Sequence, residues 1–375
     1  EKGTGMKVVC PDCGAEDTLT PDNWRCSCGG AWELEERSDF DPGLIQRDDH
    51  SLWRYRRILD LGWDRPSIRL GAGVTPLLPA EAFDREILVK LEYLAPTASF
   101  KDRGTAVMIN VLASQGVSRV VEDSSGNAGA SVAAYAARAG MDAQVFVPAY
   151  ASPDKRAQIE VYGAGIEAVP GSREDAKQAA IRAAGEEGVA YASHAYHPCF
   201  LLGQETVAWE LWEQLDHGAP DWYVVPIGQG VHLLGVWRGF RRLRRAGLVD
   251  RIPRLVGVQA ALLAPICEAY DEGLEDVPGL KLTSPTLAEG LAIPKPIRGA
   301  RVLEAVRDSG GSCVKVSEEQ ISTARRQAAR QGLYIEPTSA TALAALERVF
   351  EMAAPGETIV VPLTGSGLKG SPTVD

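Results

Sequence analysis

The sequence contains no long apolar run, few cysteines and fewer positive than negative charges. Its 375 residues include no stretch of about 18 apolar residues, and no signal peptide is visible, so we expect a cytoplasmic protein with no membrane partner. Lys and Arg number 39 against 50 Asp and Glu, and the net charge of −11 argues against nucleic acid as a partner. The seven cysteines are odd in number, unlike the even framework of a secreted disulfide protein.

Four of these cysteines form two closely spaced pairs near the N-terminus. Cys10 and Cys13 have the CxxC spacing of a zinc ribbon, whereas one residue separates Cys26 from Cys28. Four thiolates so spaced can close a tetrahedral zinc site, which would let a segment too small for its own core fold. The alternative is a metal-free ribbon with reduced thiols. Neither version is catalytic, because four protein ligands leave no open coordination position.

The rest of the chain has an ordinary composition and an alternating pattern. Hydrophobic residues make up 45% and charged residues 24%, and the length suffices for two or three domains. We predict strands at 119–122, 143–147 and 165–169 and helices at 128–139 and 153–162. This alternation predicts an α/β fold with a parallel sheet covered on both faces, in which ligands bind at the carboxyl ends of strands.

A lysine stands at one such strand-to-helix junction. Residues 95–104, Ala-Pro-Thr-Ala-Ser-Phe-Lys-Asp-Arg-Gly, lie between a predicted strand at 87–92 and a helical pattern at 105–113. Pro96 cannot continue a central sheet ladder, so Lys101 falls near the helix start. The positive end of a helix disfavours an ammonium ion, which suits an amine that acts as a neutral nucleophile. The alternative is a lysine on a solvated helix face without a catalytic role.

Three further loops follow predicted strands and carry glycine and polar residues. Residues 124–128, Ser-Ser-Gly-Asn-Ala, open a helix and offer a cradle for a carboxylate. Residues 227–235 follow a strand at 222–226, and their glycines let the backbone approach a phosphate. His232 in this loop either reaches a bound anion or faces water. The third loop is 364–370, Thr-Gly-Ser-Gly-Leu-Lys-Gly.

Taken together, these stretches resemble the threonine synthase branch of the pyridoxal-phosphate (PLP) enzymes of the tryptophan synthase β fold, fold type II. Residues 70–77 look like the family's N-terminal motif, and residues 96–104 are similar to its PLP-lysine motif. Residues 225–230, 336–340 and 364–369 are also family-like, and the cysteine-bearing segment resembles a ribbon that precedes some members. The resemblance covers nearly the whole chain.

The resemblance implies a role for each matching residue. Lys101 would bind PLP covalently and act as the catalytic base, Asn127 would hydrogen-bond the phenolic oxygen of the cofactor, and Thr364 would face its ring nitrogen. The phosphate of PLP would be held by Gly228, Gln229, Gly230, Val231 and His232. The substrate carboxylate would be held by Ser124, Ser125, Asn127 and Ala128.

The sequence departs from the family at the site for the substrate's own phosphate. Where the family typically has Asn-Pro-x-Arg followed by Gly-Gln-Lys-Thr, this chain has Phe200 in place of the arginine and Glu205 in place of the lysine. Each lost charge-assisted hydrogen bond weakens a dianion site by roughly 1.5–3 kcal/mol. We expect Lys155 and Arg156 to compensate as substrate-binding cations. Val231 also replaces a glycine of the family's phosphate-binding loop.

The resemblance implies a PLP-dependent lyase that abstracts an α-proton and then eliminates or replaces a group on an amino-acid substrate. We predict a threonine synthase, which converts O-phospho-L-homoserine and water to L-threonine and phosphate. The alternatives are a serine/threonine ammonia-lyase, to which residues 286–292 are similar, and a β-replacement enzyme acting on a serine derivative such as O-phosphoserine. A non-catalytic ligand sensor and a nicotinamide-dependent dehydrogenase are the hypotheses from other classes.

The pattern and the resemblance together imply a modular chain. We predict two doubly wound parallel-sheet domains preceded by a small Cys-rich ribbon, and we expect a homodimer. The predicted boundaries are 6–36 for the zinc-ribbon-like segment, 37–60 for a linking arm, 61–110 and 200–375 for the large PLP-binding domain, and 111–199 for the small α/β domain.

Overall fold

Thirteen strands and twelve α-helices are defined in the part of the chain that the structure describes. The structure, a computed structural model, describes residues 5–35, 39–63, 66–151, 153–281 and 284–370. The strands are β1 (Lys7–Val9), β2 (Glu16–Thr18), β3 (Glu33–Leu34), β4 (Leu77–Ala82), β5 (Arg85–Lys90), β6 (Arg119–Glu122), β7 (Asp142–Pro148), β8 (Gly165–Val169), β9 (Val189–Tyr191), β10 (Trp222–Pro226), β11 (Arg254–Ala260), β12 (Ser312–Val316) and β13 (Ile359–Pro362). The helices are α1 (Arg56–Leu59), α2 (Lys101–Ser114), α3 (Asn127–Ala139), α4 (Pro153–Val161), α5 (Arg173–Ala183), α6 (Pro198–Gln214), α7 (Val231–Arg245), α8 (Pro265–Asp271), α9 (Gly299–Asp308), α10 (Glu318–Arg330), α11 (Pro337–Ala344) and α12 (Leu346–Met352).

These elements belong to two units. The first unit comprises the described residues up to Gly73 together with Ala95–Gly203, and the second comprises Val74–Leu94 and the described residues from Gln204 onward. The units differ from the predicted domain boundaries in that α2, which carries Lys101, belongs to the first unit rather than with the C-terminal half. The predicted division into a large and a small domain stays a prediction.

The cysteine-bearing segment of the first unit is a small antiparallel sheet. Its strand order is β2-β1-β3. Such a short sheet buries little apolar surface, but Trp24 packs edge-on against two rings of the same unit, with centroid distances of 4.8 Å to Tyr191 and 5.0 Å to Tyr196. Aromatic pairs of this geometry contribute about 0.5–1.5 kcal/mol each beyond burial, so the segment is fastened to the body of its unit.

The body of the first unit is a four-stranded parallel sheet. Its order is β8-β7-β6-β9, and β6 pairs in parallel with both β7 and β9. Alanines of α3 pack on valines of β7 in the core beside it, and small side chains let the helix approach closely. The predicted strands and helices of this stretch are confirmed within one residue, because strict alternation of apolar strands and alanine-rich helices leaves few alternatives.

The second unit contains a six-stranded sheet of order β12-β11-β10-β13-β5-β4. Its strands run parallel except β4, which pairs antiparallel with β5 at the edge. The sequence analysis treated residues 70–77 only as a family-like motif and did not predict this edge strand. None of its six residues is buried, and the strand contains Pro79, so its sequence is weak evidence for a strand.

Among the described residues, no helix is both long and apolar enough to cross a membrane. The mixed α/β architecture with parallel sheets and an N-terminal cysteine cluster agrees with the predicted fold class.

Candidate functional site

Lys101 is the first residue of α2, at the end of a tight turn. The amide of Ala98 donates to the carbonyl of Ala95 at 2.8 Å, and Ala98 has a left-handed backbone with φ of +62°. A non-glycine residue in that conformation costs about 1–2 kcal/mol, a strain that often accompanies functional turns. The Nζ atom of Lys101 lies 4.5 Å from the ring centroid of Phe100 and 5.9 Å from that of Phe200.

A buried carboxylate fixes this turn. Asp102 accepts hydrogen bonds from the amide of Thr97 at 2.7 Å, from the hydroxyl of Thr97 at 2.6 Å and from the hydroxyl of Ser131 on α3 at 2.6 Å. Three bonds to one buried carboxylate hold the start of α2 against α3. Asp102 therefore helps to set the position of its neighbour Lys101.

The loop of residues 124–128 leads into α3. The amide of Gly126 donates to the hydroxyl of Ser124 at 3.3 Å, and Asn127 is the first helical residue. A Cβ at Gly129 would lie 1.9 Å from the carbonyl oxygen of Ser124, so only glycine lets the loop close so tightly over the helix start. Ser124, Ser125 and Asn127 are partly exposed and Ala128 is buried. Their hydroxyl, amide and backbone N–H groups are suited to an anionic ligand.

Glu122 and His194, which the sequence analysis did not propose, lie at the same sheet edge as this loop. Glu122 ends β6, and His194 follows β9, the parallel neighbour of β6. Oε1 of Glu122 lies 2.8 Å from Nδ1 of His194. A carboxylate at the end of a buried strand, directly before a ligand loop, was the only sequence signal for this pair.

In the second unit, residues 228–232 join β10 to α7. Gly230 has a φ of +77°, and a Cβ there would lie 2.1 Å from Val302. Gln229 accepts a hydrogen bond from the amide of Ile297 at 3.0 Å. The ring of His232 is buried, and its nitrogens lie 2.8 Å from the hydroxyl of Tyr223 and 2.9 Å from Oε1 of Gln204. Both ring nitrogens thus have partners within the second unit. The prediction that His232 helps to bind the cofactor phosphate therefore applies to its backbone N–H group.

Thr364 directly follows β13. Its hydroxyl lies 3.0 Å from the hydroxyl of Ser339 on α11, which also accepts from the amide of Gly365 at 2.8 Å. Both side chains are buried, and Ser339 thereby orients the Thr364 hydroxyl. The sequence analysis quoted Ser339 only as part of a family-like motif.

Four residues concern the predicted site for the substrate phosphate: Lys155, Arg156, Phe200 and Glu205. The side chain of Lys155 lies outside the described residues, whereas the partly exposed Arg156 lies 3.9 Å from Glu160. Phe200 is fully buried. Glu205 is also buried, and it accepts from Arg238 at 3.0 Å and from Arg242 at 3.1 Å on α7, so it neutralises cations of its own unit.

The four N-terminal cysteines converge. All four Sγ atoms lie within 4.8 Å of one another, with 3.5 Å between Cys10 and Cys28 and 3.6 Å between Cys13 and Cys26. A tetrahedron of zinc–sulfur bonds of about 2.3 Å has sulfur–sulfur edges slightly below 4 Å, so the cluster can hold zinc after small side-chain shifts. The zinc site stays a prediction.

This chain has parallel α/β sheets, a lysine at a helix start and a glycine loop before a helix. These are features of enzymes that use an amine together with a phosphate-bearing cofactor. The chain belongs to the family of pyridoxal-phosphate dependent enzymes, which matches residues 68–365. It is 32% identical over 97% of its length to the threonine synthase of Methanocaldococcus jannaschii, 93% of which is covered. It is 35% identical over 84% of its length to the threonine synthase of Synechocystis sp., 82% of which is covered.

A solved structure agrees with this family. The crystal structure of a threonine deaminase from T.th. matches 80% of this chain and 94% of its own with a TM-score of 0.66 and 26% identity. The predictions of the family, fold type II, a PLP-dependent lyase and PLP as cofactor are confirmed by these similarities.

The described residues fit the cofactor. Lys101 supplies a primary amine. Near it in the chain, the buried hydroxyl of Ser99 has no hydrogen-bonding partner among the residues that the structure describes, so a polar ligand group would satisfy it. Gly230 provides a helix start at which the backbone can approach a phosphate, and Thr364 provides an oriented hydroxyl.

Proposed function

We propose that this protein is a threonine synthase, which converts O-phospho-L-homoserine and water to L-threonine and phosphate. The observation that carries the proposal is the 32% identity to the threonine synthase of M. jannaschii over 97% of this chain. The similarity also covers 93% of the relative, so the two chains match over nearly their whole lengths.

Lys101 is proposed as the base that removes the α-proton. When bound, PLP stabilises the negative charge that develops at the α-carbon of an amino acid. The start of α2 disfavours an ammonium ion at Nζ by about 0.3–1 kcal/mol, whereas cation–π attraction to Phe100 and Phe200 favours it by about 0.5–1 kcal/mol. These two effects act in opposite directions at Nζ and are of similar size.

The remaining predicted residues bind and orient. Ser124, Ser125, Asn127 and Ala128 are proposed to hold the substrate carboxylate at the start of α3, and Asn127 also the phenolic oxygen of the cofactor. Gly228, Gln229, Gly230, Val231 and His232 are proposed to hold the cofactor phosphate through backbone N–H groups at the start of α7. Thr364, oriented by Ser339, is proposed to face the cofactor's ring nitrogen, since a hydroxyl does not force that nitrogen to be protonated.

A second candidate is a serine/threonine ammonia-lyase or a β-replacement enzyme acting on a serine derivative. The observation that favours it is the chemistry at two positions where the family has cations: Phe200 is an apolar buried ring, and the charge of Glu205 is used by Arg238 and Arg242. A substrate without a second phosphate needs neither cation. For the threonine synthase, Arg156 and Lys155 are proposed to bind that phosphate.

One assay separates the candidates. Holoenzyme is mixed with O-phospho-L-homoserine, and released phosphate and threonine are measured while the visible absorbance of the bound cofactor is followed. A threonine synthase produces both in equal amounts. Formation of a 2-oxo acid from serine or threonine, with no phosphate from O-phospho-L-homoserine, would establish the second candidate instead.

Two variants test the role of Lys101 in the same assay. Lys101→Ala is expected to lose the cofactor's visible absorbance at its lysine-bound wavelength and at least about 10³-fold of turnover. The matched control is Lys315→Ala, which removes an exposed lysine that pairs with Asp271 in the second unit and should change neither. Full activity of Lys101→Ala would contradict the proposed mechanism.

The proposal includes a small amino-acid substrate, a homodimer and a cytoplasmic location. The mass of the holoenzyme in solution, measured by analytical ultracentrifugation, tests the homodimer, and a monomer at micromolar concentration would contradict it.

A further inference from the structure

The ring of Trp24 packs against two tyrosines of the first unit. Trp24 belongs to the cysteine-bearing segment, two positions before Cys26, and only 9% of it is exposed. Its ring meets Tyr191 on β9 and Tyr196 in the following loop edge-on, with centroid distances of 4.8 Å and 5.0 Å. The two tyrosine rings are 6.4 Å apart. Because buried rings pack without free space around them, the indole helps to fix where both tyrosines lie.

A second contact joins the cysteine-bearing segment to the end of the same stretch. The thiol of Cys199 donates to the sulfur of Met6 at 3.8 Å. Met6 directly precedes β1, and Cys199 is the second residue of α6. The stretch from β9 to α6 is therefore in contact with the cysteine-bearing segment near its beginning and at its end.

The same stretch holds the two residues that end β6 and lead into the next loop. The hydroxyl of Tyr191 donates to Oδ1 of Asp123 at 2.7 Å. Three positions further along the chain, Nδ1 of His194 lies 2.8 Å from Oε1 of Glu122. Asp123 is joined directly to Ser124, the first residue of the loop proposed to hold the substrate carboxylate. A shift of the Tyr191 hydroxyl would therefore displace the start of that loop.

We propose that Trp24 is a positioning residue that acts through Tyr191 and Asp123 on the loop 124–128, so that the cysteine-bearing segment contributes to binding of the substrate carboxylate. The inference rests on the proposed role of this loop. Without the indole, a cavity opens beside Tyr191, and its hydroxyl holds Asp123 for less of the time. The affinity for substrate should fall, whereas Lys101, which starts another helix, should keep its place.

Steady-state kinetics of the holoenzyme with O-phospho-L-homoserine test this. Trp24→Ala should raise KM about fivefold, the effect of losing one hydrogen bond, and should change kcat by less than about twofold. Trp24→Phe keeps an aromatic ring at this place and should restore most of the wild-type KM. Glu16→Ala, which removes an exposed side chain of β2 in the same segment, is the control and should change neither constant.

A second variant tests the link between the tyrosine and the loop. Tyr191→Phe keeps the ring that packs on Trp24 and removes the hydroxyl that donates to Asp123. It should raise KM by a similar factor. Its combination with Trp24→Ala should add little, because both changes break the same connection. A double variant whose effect on KM is the product of the two single effects would contradict the connection.

Hydrogen exchange measured by mass spectrometry follows the loop without turnover. Peptides that cover residues 122–128 should exchange at least about threefold faster in Trp24→Ala holoenzyme than in wild type, because the loop opens more often. Trp24→Phe should exchange at nearly the wild-type rate. Peptides that cover β11, in the second unit, should exchange equally in all of these proteins.

One result would show that Trp24 has a structural role only and would overturn the inference: a Trp24→Ala enzyme with a lower melting temperature but wild-type KM and wild-type exchange at 122–128. If Trp24→Ala does not fold, Tyr191→Phe decides alone, and an unchanged KM and exchange rate in that variant would overturn the inference. If wild type releases no phosphate from O-phospho-L-homoserine, the proposed function fails, and the exchange rates still decide whether Trp24 positions the loop.

Discussion

Two buried glutamates of this protein differ in how completely they are paired. In the second unit, Glu210 accepts from Lys90 at 2.8 Å and from the amide of Val74 at 2.7 Å, and Lys90 also donates to the carbonyl of Thr75 and to Gln214. In the first unit, Glu122 has one partner, and its second oxygen has none among the described residues.

This difference distinguishes a carboxylate with a structural role from one that is suited to chemistry. A fully paired buried charge holds elements together, and Glu210 on α6 ties the left-handed backbone of Val74 to β5. An incompletely paired group, such as Glu122, has a raised pKa because burial disfavours its charged form. The four cysteines are a third case, since their sulfur atoms lie within 4.8 Å of one another.

The largest expected effect is on the cysteine cluster. Purified protein should contain about one zinc per chain, and removing it with a chelator should unfold the ribbon, because structural zinc contributes about 10 kcal/mol or more to the folding of such small segments. Elemental analysis and the fluorescence of Trp24 report both events. Cys13→Ser should lose the metal, whereas Cys313→Ser, outside the cluster, should keep it. A metal-free protein with an intact ribbon would contradict the zinc site.

Breaking the paired glutamate should destabilise the protein strongly. Lys90→Met leaves Glu210 as a buried charge without its cation and should lower the free energy of unfolding by about 3–5 kcal/mol, measured by chemical denaturation. The double variant Lys90→Met with Glu210→Leu removes both charges and should recover much of that loss. If the single variant were as stable as wild type, the pair would have no structural role.

The incompletely paired Glu122 should make the free energy of unfolding depend on pH. Because the folded pKa of Glu122 is raised from 4.5 to about 8, the folded state binds the proton more tightly, and wild type loses stability as the pH rises through that window. Glu122→Gln lacks this term, so it should gain about 1 kcal/mol relative to wild type for each pH unit. Chemical denaturation at about pH 5 and about pH 8 measures the free energy of unfolding of the variant and of wild type. If the difference between the two proteins were the same at both pH values, the expectation would be contradicted.

The smallest expected effects come from two matched helix caps, one in each unit. Ser317 caps α10 in a capping box with the neutral Gln320, so Ser317→Ala should cost about 1 kcal/mol at any pH. Ser172 caps α5 with Asp175, and the hydrogen bonds from Ser172 lower the pKa of that carboxylate. The cost of Ser172→Ala should therefore shrink as acid protonates Asp175. Thermal unfolding at neutral and acidic pH measures both, and equal pH dependence would contradict the contrast.

Local patterns were sufficient for much of the fold. The strands β6, β7 and β8 and the helices α3 and α4 were predicted within one residue, because apolar runs, alanine-rich periodicity and Gly or Pro at their ends act over a few residues. The edge strand β4 was missed, because its pairing depends on its neighbour β5 and its own sequence contains a proline and no buried residue.

The candidate site, too, was predicted only in part from the sequence. Lys101 was predicted because its junction motif is local, and its place at the first turn of α2 is confirmed. The surroundings of His232 were not foreseen, because the ring is buried between Tyr223 on β10 and Gln204 on α6, which are 9 and 28 positions away in the chain. The substitution at residue 205 was correctly noticed, but its two arginine partners come from α7 and had no local signal.

The sequence by itself determined the strands and helices between residues 119 and 169, the family and the lysine, because each depends on residues close together in the chain. Only the tertiary structure decided which buried polar groups are satisfied. Glu122 and Glu210 are both buried acids, and the residues next to each of them in the sequence do not show how completely it is paired. Their difference depends on partners 72 and 120 positions away in the chain, His194 and Lys90, which come near only when the sheets form.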